Sequence, residues 1–122
     1  MEFFIRQGSN EPILKLKLID DGKNDLSSFN DRLENSVITF EMSDIVTEAP
    51  QVLNGQCLLT NKIQLYNQTT PEYYITYRFS SDDTSVKGKY EGIITIQFLD
   101  TNSNPTTKLI LPINEKLYIN VV

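Results

Sequence analysis

Leu14, Leu16 and Leu18 alternate with Lys15 and Lys17, and this period of two recurs along most of the chain. Successive side chains of a strand point to opposite faces, so the pattern describes strands with one buried and one wet face. Ile38, Phe40 and Met42 alternate with Thr39 and Glu41, and Tyr73, Ile75, Tyr77 and Phe79 alternate with Tyr74, Thr76 and Arg78. Gly92, Ile94, Ile96 and Phe98 repeat the pattern, followed by Leu109 and Leu111, then by Leu117, Ile119 and Val121. Cys57, Leu59, Ile63 and Leu65 suggest a less regular strand or a bulged pair, and a short strand opens the chain around Phe3 to Arg6.

The connections carry turn chemistry at Gly8-Ser9-Asn10, Asp21-Gly22, Asn54-Gly55, Lys87-Gly88 and Asn102-Ser103-Asn104-Pro105. Pro12 stands where a strand begins, and Pro112 marks its strand as an edge or a bend. Alanine, the best helix former, occurs once, at Ala49. The one helical spacing is Leu26, Phe29 and Leu33, which predicts a short helix from Asp25 to Glu34 with Asn24 or Asp25 as its N-cap. The expectation is a single domain over residues 1–122, an all-β antiparallel sandwich of about seven to nine strands with that helix at one end. At 122 residues such a chain buries enough surface for one core without a disulfide or metal staple.

The residues for most site chemistry are missing. The chain has no histidine, which removes the commonest general base and metal ligand, and with them Ser-His-Asp, Cys-His and Cys/His zinc arrangements. The lysines fall in turns or on outward strand phases, where they stay protonated and make poor bases for a serine. Gly88-Lys89-Tyr90-Glu91-Gly92 has the wrong spacing for a phosphate loop; Gly88 reads as a turn residue and Gly92 as a site of close packing within a strand. Asp20-Asp21 and Asp82-Asp83 read as solvated loop acids. Asp100-Thr101-Asn102-Ser103-Asn104 begins like a calcium loop, but Pro105 and Leu111 replace the required Gly and Glu, so a hairpin loop is expected.

Cys57 is the only cysteine and reads as a small strand hydrophobe. Asn67-Gln68-Thr69 matches a glycosylation acceptor by chance, since the N-terminus lacks the pattern of a secretory signal. No apolar run reaches the roughly 20 residues of a membrane helix. A net charge of −5 without a basic cluster disfavours nucleic acid and anionic membranes as partners. The expectation is a noncatalytic protein with no cofactor and no metal.

What remains is docking. Of Phe3 and Phe4 one must point inward, leaving the other to point out, toward a neighbouring subunit or under a loop. Tyr74 and Arg78 share the outward phase and suggest a patch of the residue types that dominate interface hot spots. Tyr118 joins Phe3, Phe4, Tyr74 and Arg78 as a candidate interface residue, and Tyr66, Tyr74 and Tyr118 offer a weaker reading as a sugar platform. The N-terminal strand and the strand from Leu117 to Val122 are candidate edges for addition to a neighbour's sheet.

The order of these pieces carries a resemblance. Phe3-Phe4-Ile5-Arg6-Gln7-Gly8-Ser9 is followed by Pro12-Ile13-Leu14-Lys15-Leu16, by Leu33-Glu34-Asn35-Ser36-Val37-Ile38-Thr39-Phe40 and by Met42-Ser43-Asp44. Then come Glu72-Tyr73-Tyr74-Ile75, Lys87-Gly88-Lys89-Tyr90-Glu91-Gly92 leading into Ile94-Thr95-Ile96-Gln97-Phe98, and Leu111-Pro112-Ile113. Over nearly its whole length the chain resembles the immunoglobulin-like N-terminal domain of phage baseplate upper proteins, and small stand-alone virion proteins of tailed phages. The resemblance implies an immunoglobulin-like sandwich without the antibody disulfide or core tryptophan. It also implies a structural virion component, oligomeric and bound to other virion proteins. Baseplate upper proteins continue into a long C-terminal region where this chain stops at Val122. An adaptor, tail or collar subunit, or a capsid decoration protein, is therefore expected over a fibre carrier, and a carbohydrate or host-surface module is the alternative.

Overall fold

The computed structural model describes residues 1–18, 33–62 and 72–122. The helix expected from Asp25 to Glu34 falls outside them except for its last two residues, as do Asp20-Asp21, Tyr66 and Asn67-Gln68-Thr69. The described residues form nine strands: β1 (Glu2–Ile5), β2 (Leu14–Lys17), β3 (Ser36–Asp44), β4 (Pro50–Gln56), β5 (Leu58–Lys62), β6 (Glu72–Tyr77), β7 (Gly88–Leu99), β8 (Pro105–Leu111) and β9 (Leu117–Val121).

They make two sheets. The larger runs β1-β9-β7-β3-β4 with β8 also on β7, and the smaller runs β2-β6-β5. Every pairing is antiparallel except β1 with β9. The 12-residue β7 organises the larger sheet. On one edge Tyr90 to Phe98 pair with β3; on the other, Gly88 to Gly92 pair with β9 and Ile94 to Leu99 with β8. Strands β8 and β9 thus share one edge of β7 end to end, with Pro112 between them.

The alternating residues meet between the sheets. Ile38, Phe40 and Met42 of β3, Tyr73, Ile75 and Tyr77 of β6, Ile94, Ile96 and Phe98 of β7, and Leu117, Ile119 and Val121 of β9 are all buried. The all-β sandwich expected from the alternation is therefore the fold. Its centre is aromatic: Phe40 and Tyr77 face each other across the sheets with ring centroids 4.6 Å apart. Phe79 meets both edge-on, at 5.8 and 5.1 Å, and stacks on Phe3 of β1 at 5.8 Å. Aromatic pairs of this kind contribute about 0.5–1.5 kcal/mol each beyond their area.

Gly92 acts as expected within a strand, since a Cβ there would lie 3.0 Å from Phe40 Cε1 and 3.2 Å from Leu117 Cδ2. Near the start of β7 the Tyr90 hydroxyl donates to the Val86 carbonyl at 2.7 Å, tying the strand to the loop that enters it.

Asn54-Gly55 is not the turn its dipeptide suggests. Both residues lie inside β4, which the alternation did not reveal; Asn54 has φ 53° and the pairing with β3 shifts register between Phe40 and Met42. The turn between β3 and β4 is built instead at Asp44, whose carboxylate accepts the Val46 and Thr47 N–H groups at 2.8 and 3.0 Å. Gly55 is required because the Tyr77 ring lies over it: a Cβ would stand 2.6 Å from Tyr77 Cε1. Gly55→Ala should cost about 1–3 kcal/mol by overpacking, measured by urea unfolding; a solvent-exposed turn would tolerate the change.

Candidate functional site

The five candidate interface residues fall into two groups on opposite sides of the sandwich. On β1, Phe3 points inward onto Phe79 and is half-buried, whereas Phe4 points outward and is 59% exposed. Of the two, Phe4 is thus the residue offered to a neighbour, and Phe3 belongs to the packing of the fold. Tyr118 lies on the same outer face, opposite Glu2 in the β1–β9 ladder. Tyr74 lies on the outer face of the smaller sheet, and Arg78 lies just beyond the end of β6, paired with Glu11. The sequence phase rightly turned Tyr74 and Arg78 outward, but no common patch unites all five residues.

The tyrosine rings are already used. Lys15 Nζ sits 4.5 Å from the centroid of Tyr74, and Lys89 Nζ 4.4 Å from that of Tyr118. Each cation takes a ring face on which a sugar would stack. Tyr74 and Tyr118 also stand on opposite sheets, so they do not form one platform.

The sheet edges correct one expectation. Strand β9 is paired on both sides, with β7 and with β1, and cannot accept another strand. It is held there because β8 covers only the distal half of that edge of β7, leaving the proximal half for the chain's last strand. Strand β1 borders it at the limit of the sheet. Phe4 therefore sits on an edge strand, with its side chain on the outer face.

Polar groups that resemble chemical equipment hold turns. The Asp100 carboxylate accepts the Asn102 and Asn104 N–H groups at 2.9 and 2.8 Å, closing the β7–β8 hairpin where a calcium loop would hold its ion. Asp83 accepts the Tyr77 hydroxyl at 2.6 Å and the Ser80 N–H at 2.9 Å, while the Asp82 carbonyl takes Gln51 Nε2 at 3.0 Å. Burial, reinforced by Asp83, pushes the Tyr77 phenol far above its ordinary value. Burial likewise pushes the Cys57 thiol up to about 12, which disfavours the reactive thiolate at neutral pH. The residue is not within a strand as expected but at the junction of β4 and β5, where its N–H donates to the Ile38 carbonyl at 3.0 Å. A hollow lined among the described residues by Glu34, Leu59, Thr60 and Tyr73 offers one carboxylate and the Thr60 hydroxyl. Among the described residues no group of three or more Asp, Glu or Cys is placed to hold a metal ion.

Searches against protein-family models, curated proteins and solved structures find no match to this chain. The fold and the placement of side chains must carry the functional reading.

Three carboxylates have acidities set by these contacts. The Lys89 ammonium, with Asn120, holds Glu2 below its ordinary value. Backbone N–H groups do the same for Asp44 and Asp100. A depressed folded-state pKa gives stability that is fully present above the ordinary carboxylate value, about pH 4, and is lost as pH falls through the folded value. The melting midpoint should therefore drop as pH falls below about 4, and Asp44→Asn with Asp100→Asn should flatten that limb. Equal acid slopes for the two proteins would show that the turn carboxylates do not contribute.

Proposed function

We propose that this chain is a noncatalytic structural subunit of a tailed-phage virion, a tail, baseplate or collar adaptor that works by docking on other virion proteins. The observation that carries the docking half of this reading is Phe4, an exposed aromatic on an edge strand, in a protein where, among the described residues, Asp44, Asp83 and Asp100 close turns and Tyr77 and Tyr90 belong to the core. The phage half comes from the sequence resemblance; the arrangement of strands bears only on the immunoglobulin-like fold that the resemblance implies. Strands β9-β7-β3-β4 over β2-β6-β5 follow the G-F-C-C′ over B-E-D order of variable-type immunoglobulin sandwiches.

Two details agree with an immunoglobulin-like assignment. Tyr90, near the start of β7, bonds the carbonyl of Val86 upstream, as the tyrosine of a tyrosine corner does. Gly92 then stands two residues on, where antibody domains place their second cysteine, and Phe40 of β3 packs against it in place of the core tryptophan. An aromatic–glycine contact fills the space that a disulfide and an indole fill elsewhere. Such a core needs no oxidising compartment, which suits a protein folded in a host cytoplasm and then built into a particle.

A working subunit of this kind is a stoichiometric part of the particle. Peptides of this chain should appear in gradient-purified virions at a fixed ratio to the major tail protein, and should stay with tails when heads and tails are separated. Retention with heads would assign it to capsid decoration instead. Recovery only from the unassembled lysate fraction would refute a structural role.

A further inference from the structure

Strand β1 lies at the limit of the larger sheet, and the direction of its backbone groups can be read from its ladder. The Met1 and Ile5 carbonyls accept the Tyr118 and Val122 N–H groups, and the Gln7 N–H donates to the Val122 carbonyl, each at 2.9 Å. Odd-numbered residues therefore turn their backbone groups toward β9. Alternation along a strand turns those of Glu2, Phe4 and Arg6 the opposite way, to an edge where no strand lies among the described residues. The Arg6 carbonyl closes the next turn by accepting the Ser9 N–H at 3.0 Å, so Arg6 contributes chiefly its own N–H.

This edge is short and carries Glu2, whose carboxylate is held by Lys89 and Asn120, but it has fewer guards against pairing than the edges of β2 and β4. Strand β2 carries Lys15 and Lys17, and β4 begins at Pro50 and is broken by register shifts. Strand β1 has no lysine, proline or bulge, and its outward aromatic is exposed.

We infer that the β1 edge pairs with β1 of a second copy of this chain, antiparallel about a two-fold axis through Phe4. In that register Phe4 faces Phe4 of the second copy, and Glu2 of each copy faces Arg6 of the other. These are the residues whose backbone groups point out of the edge, so they form the hydrogen-bonded pairs of the new ladder. On the outer face an aromatic pair is flanked by two opposite-charge pairs. On the inner face Phe3 comes opposite Ile5, apolar against apolar. Moving the axis to Phe3 would set Glu2 against Phe4, and moving it to Ile5 would set Phe4 against Arg6; both lose the charge match. The contact is isologous, the form a closed two-fold dimer requires, and it joins two larger sheets into one.

The inference rests on the reading of the chain as an assembly subunit and names the partner and the surface. Its test is sedimentation equilibrium of the full chain over a concentration series, for wild type, Glu2→Arg, Arg6→Glu and the double variant, with each melting midpoint confirming a folded protein. Either single swap sets like charges opposite each other twice and should raise the dimer dissociation constant about tenfold or more. The double swap restores opposite charges across the axis and should recover most of the lost dimerisation, short of wild type because Glu2→Arg also gives up the ion pair with Lys89. A wild-type monomer at every concentration, or a dimer indifferent to Arg6→Glu, overturns the inference. Neither result touches the virion assignment, which stands or falls on the particle composition.

Discussion

Pairing along both edges of β7 is the constraint on which the larger sheet depends. One edge holds β3 and, through it, β4; the other holds β8 and β9 in succession and, through β9, β1. Each of these strands owes its register to β7 directly or through one neighbour. Its inward residues from Tyr90 to Phe98 are all buried, so a slip of one residue would move an entire apolar row into water. The aromatic cluster then fixes the second sheet. Phe40 beside β7, Tyr77 on β6 and Phe79 beyond it interlock at the centre, and two glycines, Gly55 and Gly92, make room for their rings.

Most of that arrangement was legible in the sequence because period two is a direct record of burial in a half-wet strand. Phe40, Tyr77, Ile94 and Ile119 were all on the correct face. Strand β4 was hidden because its shifted register interrupts the alternation, leaving Val52 as its one buried hydrophobic residue. Asn54-Gly55 was misleading for a related reason: both residues serve the bulge and the close approach of Tyr77, and these need the same residue types as a turn.

The candidate site was legible in part. That one phenylalanine of Phe3-Phe4 must face out follows from alternation, but which one depends on Phe79, a partner far along the chain. The outward phases of Tyr74 and Arg78 were correct, whereas their separation from Phe4 and Tyr118 is a matter of which sheet each strand joins, and no local pattern encodes that. The double pairing of β9 was likewise out of reach, since it follows from β8 stopping partway along β7. Lys15 and Lys89 over the tyrosine rings, and Asp83 under Tyr77, are contacts between residues whose spacing suggested nothing. They matter because they turn apparent binding groups into parts of the scaffold.

A domain that docks through a sheet edge should show it in its backbone. Amide hydrogen exchange, compared between the isolated monomer and the same chain in purified particles, tests this account most directly. Amides along β7 should be protected in both states, because only global opening exposes them. Those of Glu2, Phe4 and Arg6 should exchange quickly in the monomer and become protected in the particle. Equal exchange of these three amides in the two states would contradict the claim that this protein works through its β1 edge.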